Sequence, residues 1–360
     1  MLENQKTVIK SLTGIKVVAL LLIFYSHSAM PQIELGIGSR MCELLFVMSG
    51  FLVGYNKLDK KIPCTYKASF DYFISKFILF YPLHVIITLL RAIIQYKYLF
   101  DIKNLIKLFL SLLLLNSWSP FEDTFFCFNG SSWFLSALLF CYFLTPLFLR
   151  LTKNEKPLYF ILILFIRLFI DIVTNYTSFE IIPVHTHVNP FVRSLEFFLG
   201  MLSVPYYMKL KNYVDSTLSI NKKRILFSIL EITIVLITIV LMYYLNNICI
   251  PKTFFVFLFC IFVFIFAFDS GILSICLGIN IFKLFNKIQF EFYLSHTTFF
   301  LYCWAIVSKM NINTKPILLL IIELIIEFIL LVLICFIYVK YFKNFFACKL
   351  EKIILKLTKF

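Results

Sequence analysis

Apolar residues fall in long runs near residues 11–30, 36–55, 72–95, 104–118, 131–151, 157–174, 190–208, 224–246, 252–268, 288–308 and 316–341, with short polar or basic stretches between them. About 20 such residues make a helix long enough to cross the hydrocarbon of a bilayer. No strict alternation with period two occurs, and only helices satisfy their backbone within one continuous apolar run. The pattern predicts an all-α, polytopic transmembrane helix bundle of about ten to eleven membrane helices. It predicts one integral membrane domain over 1–342 and a basic cytoplasmic tail over 343–360. In that tail Leu350, Ile353, Ile354 and Leu357 share a face opposite Lys349, Lys352, Lys356 and Lys359. The tail is either an amphipathic helix lying on an anionic leaflet or a frayed basic end.

Composition sharpens this picture. Hydrophobic residues make up 61% of the chain and charged residues 15%, against about 25% charge in soluble domains. The net charge of +15 raises nucleic acid as a partner. The lysines, however, sit at helix ends and in short loops, as the positive-inside bias produces, so membrane lipid is the expected partner and nucleic acid is not. The ten cysteines are scattered without a CxxC pair and read as small buried residues. His185 and His187 form a lone His-x-His without a third ligand, so no metal is expected.

Lysine-rich loops at Lys57, Lys60, Lys61 and Lys67, at Arg150, Lys153 and Lys156, at Lys209 to Arg224, and beyond Lys340 mark the cytoplasmic side. Loops holding Glu122 and Asp123, or Glu180, His185 and His187, belong outside. The alternation fails near 72–104, where Lys97 and Lys103 follow another basic loop. Either one run there is re-entrant or the charge bias fails locally. Lys6 and Lys10 precede the first run without a small-x-small cleavage site, so that run reads as an uncleaved anchor. Both termini are expected in the cytoplasm of a bacterium, with the bundle in its inner membrane.

Candidate chemistry lies where polar groups interrupt apolar runs, because titratable groups in hydrocarbon are costly. Lys16 and His27 stand in the first run. Eleven helical positions put them about 20° apart around the axis and about 16 Å apart along it. Glu43 opens the second run on the same side as His27, where a carboxylate within reach would fix the imidazole tautomer and raise its basicity. Arg193 and Glu196, three apart, share a helix face and serve as a structural pair or as part of a site. Arg167 and Asp171, four apart, read as a structural pair. His296 follows Tyr293 by three, on the same side of its helix. Glu323 and Glu327 share a face and are expected to point inward, as protonated acids or as partners of Arg193. Trp118 and Trp133 suit interfacial anchoring, and Trp133 also suits stacking on a sugar. Asn129-Gly130 is a turn, with Ser131 or Ser132 capping the helix that follows.

Five blocks in order resemble the acyltransferase 3 family of integral membrane O-acyltransferases. They are Lys16 with His27, Glu43 to Phe51 ending in Ser-Gly-Phe, Asn129 to Ser136, Asn189 to Met201, and Glu291 to His296. The pattern departs where the family places two arginines three apart before a proline turn. Here Lys76 and Leu79 precede Tyr81-Pro82. Leu138 stands where many relatives carry glutamate.

The resemblance implies transfer of an acyl group, usually acetyl, from cytoplasmic acyl-CoA to a hydroxyl of a surface or envelope glycan. It implies His27 as base or acyl carrier, with Glu43 and Lys16 completing the catalytic set. Lys76, with Lys57, Lys60 and Lys61, is expected to attract the phosphates of the donor. Asn129, Trp133, Ser136, Arg193, Glu196, Tyr293 and His296 are expected to line the cavity or bind the acceptor. Two rivals remain at this level: a secondary transporter or exporter of a glycan or lipid-linked intermediate, and a non-catalytic membrane partner of an assembly system.

Overall fold

The computed structural model describes residues 8–30, 36–176, 186–245, 252–307 and 317–357, and no strand forms among them. The helices, numbered along the chain, begin with α1 Lys10–Ser26, α2 Ile37–Lys57, α3 Tyr66–Ile94, α4 Ile102–Leu112 and α5 Glu122–Phe125. Then come α6 Ser132–Lys153, α7 Pro157–Tyr176, α8 Pro190–Leu202, α9 Val204–Thr217, α10 Ile220–Leu245 and α11 Lys252–Phe266. Last are α12 Ile272–Leu277, α13 Asn280–Phe285, α14 Gln289–Val307, α15 Ile317–Ile337 and α16 Lys343–Leu357.

The centre is the crossing of α2 and α8. Gly50 of α2 lies against the backbone carbonyl of Phe197, and Gly200 of α8 against that of Val47. With no Cβ at either position the two backbones pack directly, as small residues permit within membranes. Phe46, Phe51, Phe197, Phe255 and Phe259 fill the surrounding core. α1 lies on α2 and is pinned at its start. The Asp269 carboxylate accepts from the Ser11 amide at 2.8 Å, and the Ser11 hydroxyl donates to the Phe266 carbonyl at 2.6 Å. The Glu231 carboxylate in turn accepts from the Gly271 and Ser274 amides, so a buried acid caps α12. Leu236 and Ile239 on α10, and Ile325 and Ile329 on α15, turn outward. Such faces suit lipid and not water.

Among the described residues six helices are long and apolar enough to cross a membrane: α2, α3, α6, α7, α10, and α15 continued through α16. The expected ten to eleven are not reached on this measure, and the reasons are local. α1 has 17 residues and α11 has 15. The run 190–208 breaks at Ser203, where α9 restarts with Pro205 near its first turn. The run 104–118 makes only the 11 residues of α4, about 16 Å of helix. Lys97 and Lys103 follow the end of α3, whereas Lys57 ends α2 ahead of the start of α3. At the far end, Tyr338–Phe342 join α15 to α16 through a wide turn, and Lys343 pairs with Glu291 of α14 at 2.6 Å.

Candidate functional site

A cavity of about 750 Å³ opens at the end of the bundle where α1 stops. His27, at the C-cap of α1, lines it with Cys42, Arg91, Trp133, His187 and Tyr293. The His27 Nδ1 lies 2.9 Å from the Ile23 carbonyl oxygen. An oxygen that can only accept fixes the proton on Nδ1 and leaves the lone pair on Nε2. His296, buried on α14, places its Nε2 3.4 Å from the same Nδ1, while its own Nδ1 donates to the Tyr293 carbonyl at 2.5 Å. The two rings meet edge to face with centroids 5.0 Å apart. The Ile23 carbonyl thus orients the His27 ring, and His296 places a second, more distant acceptor beside the same Nδ1.

Glu43 is not among these partners of His27. It lies buried on α2, and its two oxygens accept from Arg40 at 3.2 and 3.1 Å. Arg40, three residues earlier, shares the helix face of Glu43 and so captures it. The Arg40 guanidinium in turn lies over the Phe255 ring at 4.1 Å.

Arg193 and Glu196 are wholly buried and joined at 2.6 Å. Glu196 also accepts from Arg167 at 3.4 Å, Arg167 pairs with Asp171, and Asp171 accepts from the Thr253 amide at 2.6 Å. This network ties α7, α8 and α11 together and does not open into the cavity. It acts there through His187: Arg193 Nε donates to the His187 carbonyl at 2.6 Å, and Nη2 donates to His187 Nδ1 at 2.8 Å. Burial, then the adjacent Arg193 charge, hold His187 well below the usual imidazole range, so its ring is neutral and packs on Trp133. Glu196→Ala removes the carboxylate that Arg167 and Arg193 share, leaving Asp171 to Arg167 and only the more distant Glu43 charge to Arg193. The expected cost is about 3–5 kcal/mol of stability, read as a lower melting temperature in detergent; a shift worth under about 1 kcal/mol would show that the network holds nothing together.

A second cavity, of about 210 Å³, lies at the other end of α1. Lys16 lines it with Lys287, Lys343, Glu291, Tyr142 and Tyr293. Lys16 and His27 therefore face separate chambers, and Tyr293 is the residue that lines both. Lys76 sits beside Tyr142, its ammonium 5.5 Å from that ring and 5.6 Å from the ring of Tyr72. Lys57 is near enough to repel Lys76, whereas Lys60 and Lys61 are exposed in the following loop.

The block around α6 divides three ways. Trp133 is buried in the wall of the larger cavity, so it is not an interfacial anchor; Trp118 is the exposed one of the pair. Asn129 is buried behind that wall, and its carbonyl accepts from the Ser132 amide and hydroxyl at 2.9 and 2.7 Å. Ser131 caps nothing with its side chain and instead meets the Thr297 hydroxyl at 3.1 Å. Ser136 lies away from His27, binding the Leu114 carbonyl at 2.5 Å and Ser117 at 2.7 Å. Glu327 approaches the Cys303 thiol and not Arg193, whose carboxylate partner is Glu196. His185 lies outside the described residues.

Three contributors escaped the sequence reading: Arg40, Arg91, and the Lys287 and Lys343 pair that joins Glu291 around Lys16. Arg91 carried a usable signal, since it is a cation inside the run 72–95. No characterised protein and no solved structure matches the chain at a significant level of similarity. A family model for an acyltransferase domain matches residues 9–340, nearly the whole chain. With a helical membrane bundle and the Lys16 and His27 pair in place, the chain belongs to the acyltransferase 3 family of membrane acyltransferases.

Proposed function

We propose that the protein moves an acyl group, acetyl in the simplest case, from acyl-CoA to a hydroxyl of a cell-surface or envelope glycan or its lipid-linked precursor. The observation that carries this reading is the pair of chambers at opposite ends of α1, Lys16 in one and His27 in the other, meeting at Tyr293. Three lysines against one glutamate line the Lys16 chamber, a balance that attracts the phosphates of coenzyme A. Lys76 and Lys57 extend that field outward along α3 and the end of α2.

The slender pantetheine arm then carries the thioester past Tyr293 toward the larger chamber. There His27 Nε2 takes the proton of the attacking hydroxyl as its oxygen bonds to the acyl carbon. The carbon–sulfur bond breaks and the thiolate takes up that proton, leaving the ester and free coenzyme A. Transfer through an acyl-imidazole on the same nitrogen balances equally, with two displacements in place of one. In this scheme the Lys16 end and both termini face the cytoplasm of a bacterium, and the His27 end faces outward across the inner membrane.

The test uses membranes holding the full chain, acetyl-CoA labelled in the acetyl group, and a bacterial surface polysaccharide. Alkali-labile label on the glycan, matched by released thiol, is the expected result. Gradient-driven uptake of saccharide without thiol release would replace this reading with a transporter.

A further inference from the structure

We infer that the acceptor held beside His27 is anionic, bearing a carboxylate or a phosphate that Arg91 binds; this rests on the acyl-transfer reading above. Arg91, in the last turn of α3, is the one arginine or lysine among the described residues that line the larger cavity, and no described aspartate or glutamate lines it. Its guanidinium makes a single hydrogen bond, from Nη1 to the Thr297 carbonyl at 3.1 Å, and its Nε is buried without a partner. A guanidinium has five N–H donors, so most of this fork is unused.

The other arginines of the interior are placed differently. Arg40 faces Glu43, Arg167 faces Asp171 and Arg193 faces Glu196. A cation set into a low-dielectric wall with no carboxylate opposite is a receptor for an anion, and the planar fork fits carboxylate and phosphate alike.

The surroundings suit a sugar that carries such a group. Ser131 and Thr297 pair their hydroxyls at 3.1 Å beside the carbonyl that orients Arg91, and Trp133 lines the same cavity. Bridging α3 to α14 does not explain the arginine, because Tyr302 already makes that link, donating to the Leu90 carbonyl at 2.8 Å.

The full chain in detergent, without donor, is titrated with methyl α-glucuronide, glucose 6-phosphate and methyl α-glucoside. One charged probe is expected to bind about 10-fold more tightly than the neutral one. That probe names the anion as carboxylate or phosphate. Arg91→Gln is expected to remove the preference and leave neutral-probe binding unchanged, while Arg91→Lys keeps part of it. Should Arg91→Gln fail to fold, the comparison of wild type with Arg91→Lys decides. Equal binding of all three probes, binding of none, or full discrimination retained in Arg91→Gln overturns the inference. Because binding is read without acyl-CoA, discrimination without any thiol release in the transfer assay would keep the anion site and overturn the acyl-transfer reading alone.

Discussion

His27→Ala is expected to reduce acyl transfer about 10²- to 10⁴-fold, the contribution of a positioned general base, while the protein accumulates in the membrane at its normal level. Both halves follow from how the ring is held. Its Nδ1 rests on the Ile23 carbonyl of its own helix, near the Ser26 hydroxyl, and its link to a distant helix is the 3.4 Å approach to His296, so removing it leaves every backbone hydrogen bond between helices in place. The ring also sits at the rim of a cavity and not in the packed core, where truncation would leave a void. The measurement is initial ester formation per unit of membrane protein. Retention of a tenth or more of the wild-type rate would remove His27 from the chemistry.

That residue pair was legible in the chain because a helix has a fixed rise. The step of eleven positions from Lys16 to His27 sets their separation before any packing is known, and the two chambers fall at those two ends. The partner of His27 was not legible. Proximity in sequence suggested Glu43, but Arg40 lies one turn before it on the same face and takes the carboxylate. His296 reaches His27 only through the docking of α14 on α1, a contact between residues 269 positions apart. The run 104–118 had an apolar composition that suited a crossing, yet α4 stops after 11 residues. What composition could not show is where its polar side chains find partners: Ser136 fastens the turn at Leu114 to Ser117. Arg91 stood in plain view within an apolar run, but it gained meaning only once the absence of a carboxylate beside it was visible.

The second large effect concerns the fold. Gly50→Val is expected to abolish accumulation of the folded bundle, because a Cβ at residue 50 would occupy the space of the Phe197 carbonyl. Gly200 meets the Val47 carbonyl in the same way, so the contact is reciprocal and neither helix can yield without separating from the other. Overpacking a core against movable side chains costs about 1–3 kcal/mol; here the obstacle is backbone, and the expected cost is at the top of that range or above. Separation of α2 from α8 also moves Cys42 away from Arg193, which sets His187 in the cavity wall. Activity and folding therefore fall together in this variant, unlike the loss in His27→Ala. Gly130→Ala is the control: its Cβ would meet nothing nearer than the Phe126 carbonyl at 3.6 Å, an ordinary contact. The two glycine variants are compared by membrane accumulation and by size-exclusion elution in mild detergent. Normal elution and melting of Gly50→Val would mean that α2 and α8 do not cross this closely, and the Ser-Gly-Phe segment would then owe its glycine to something other than helix packing.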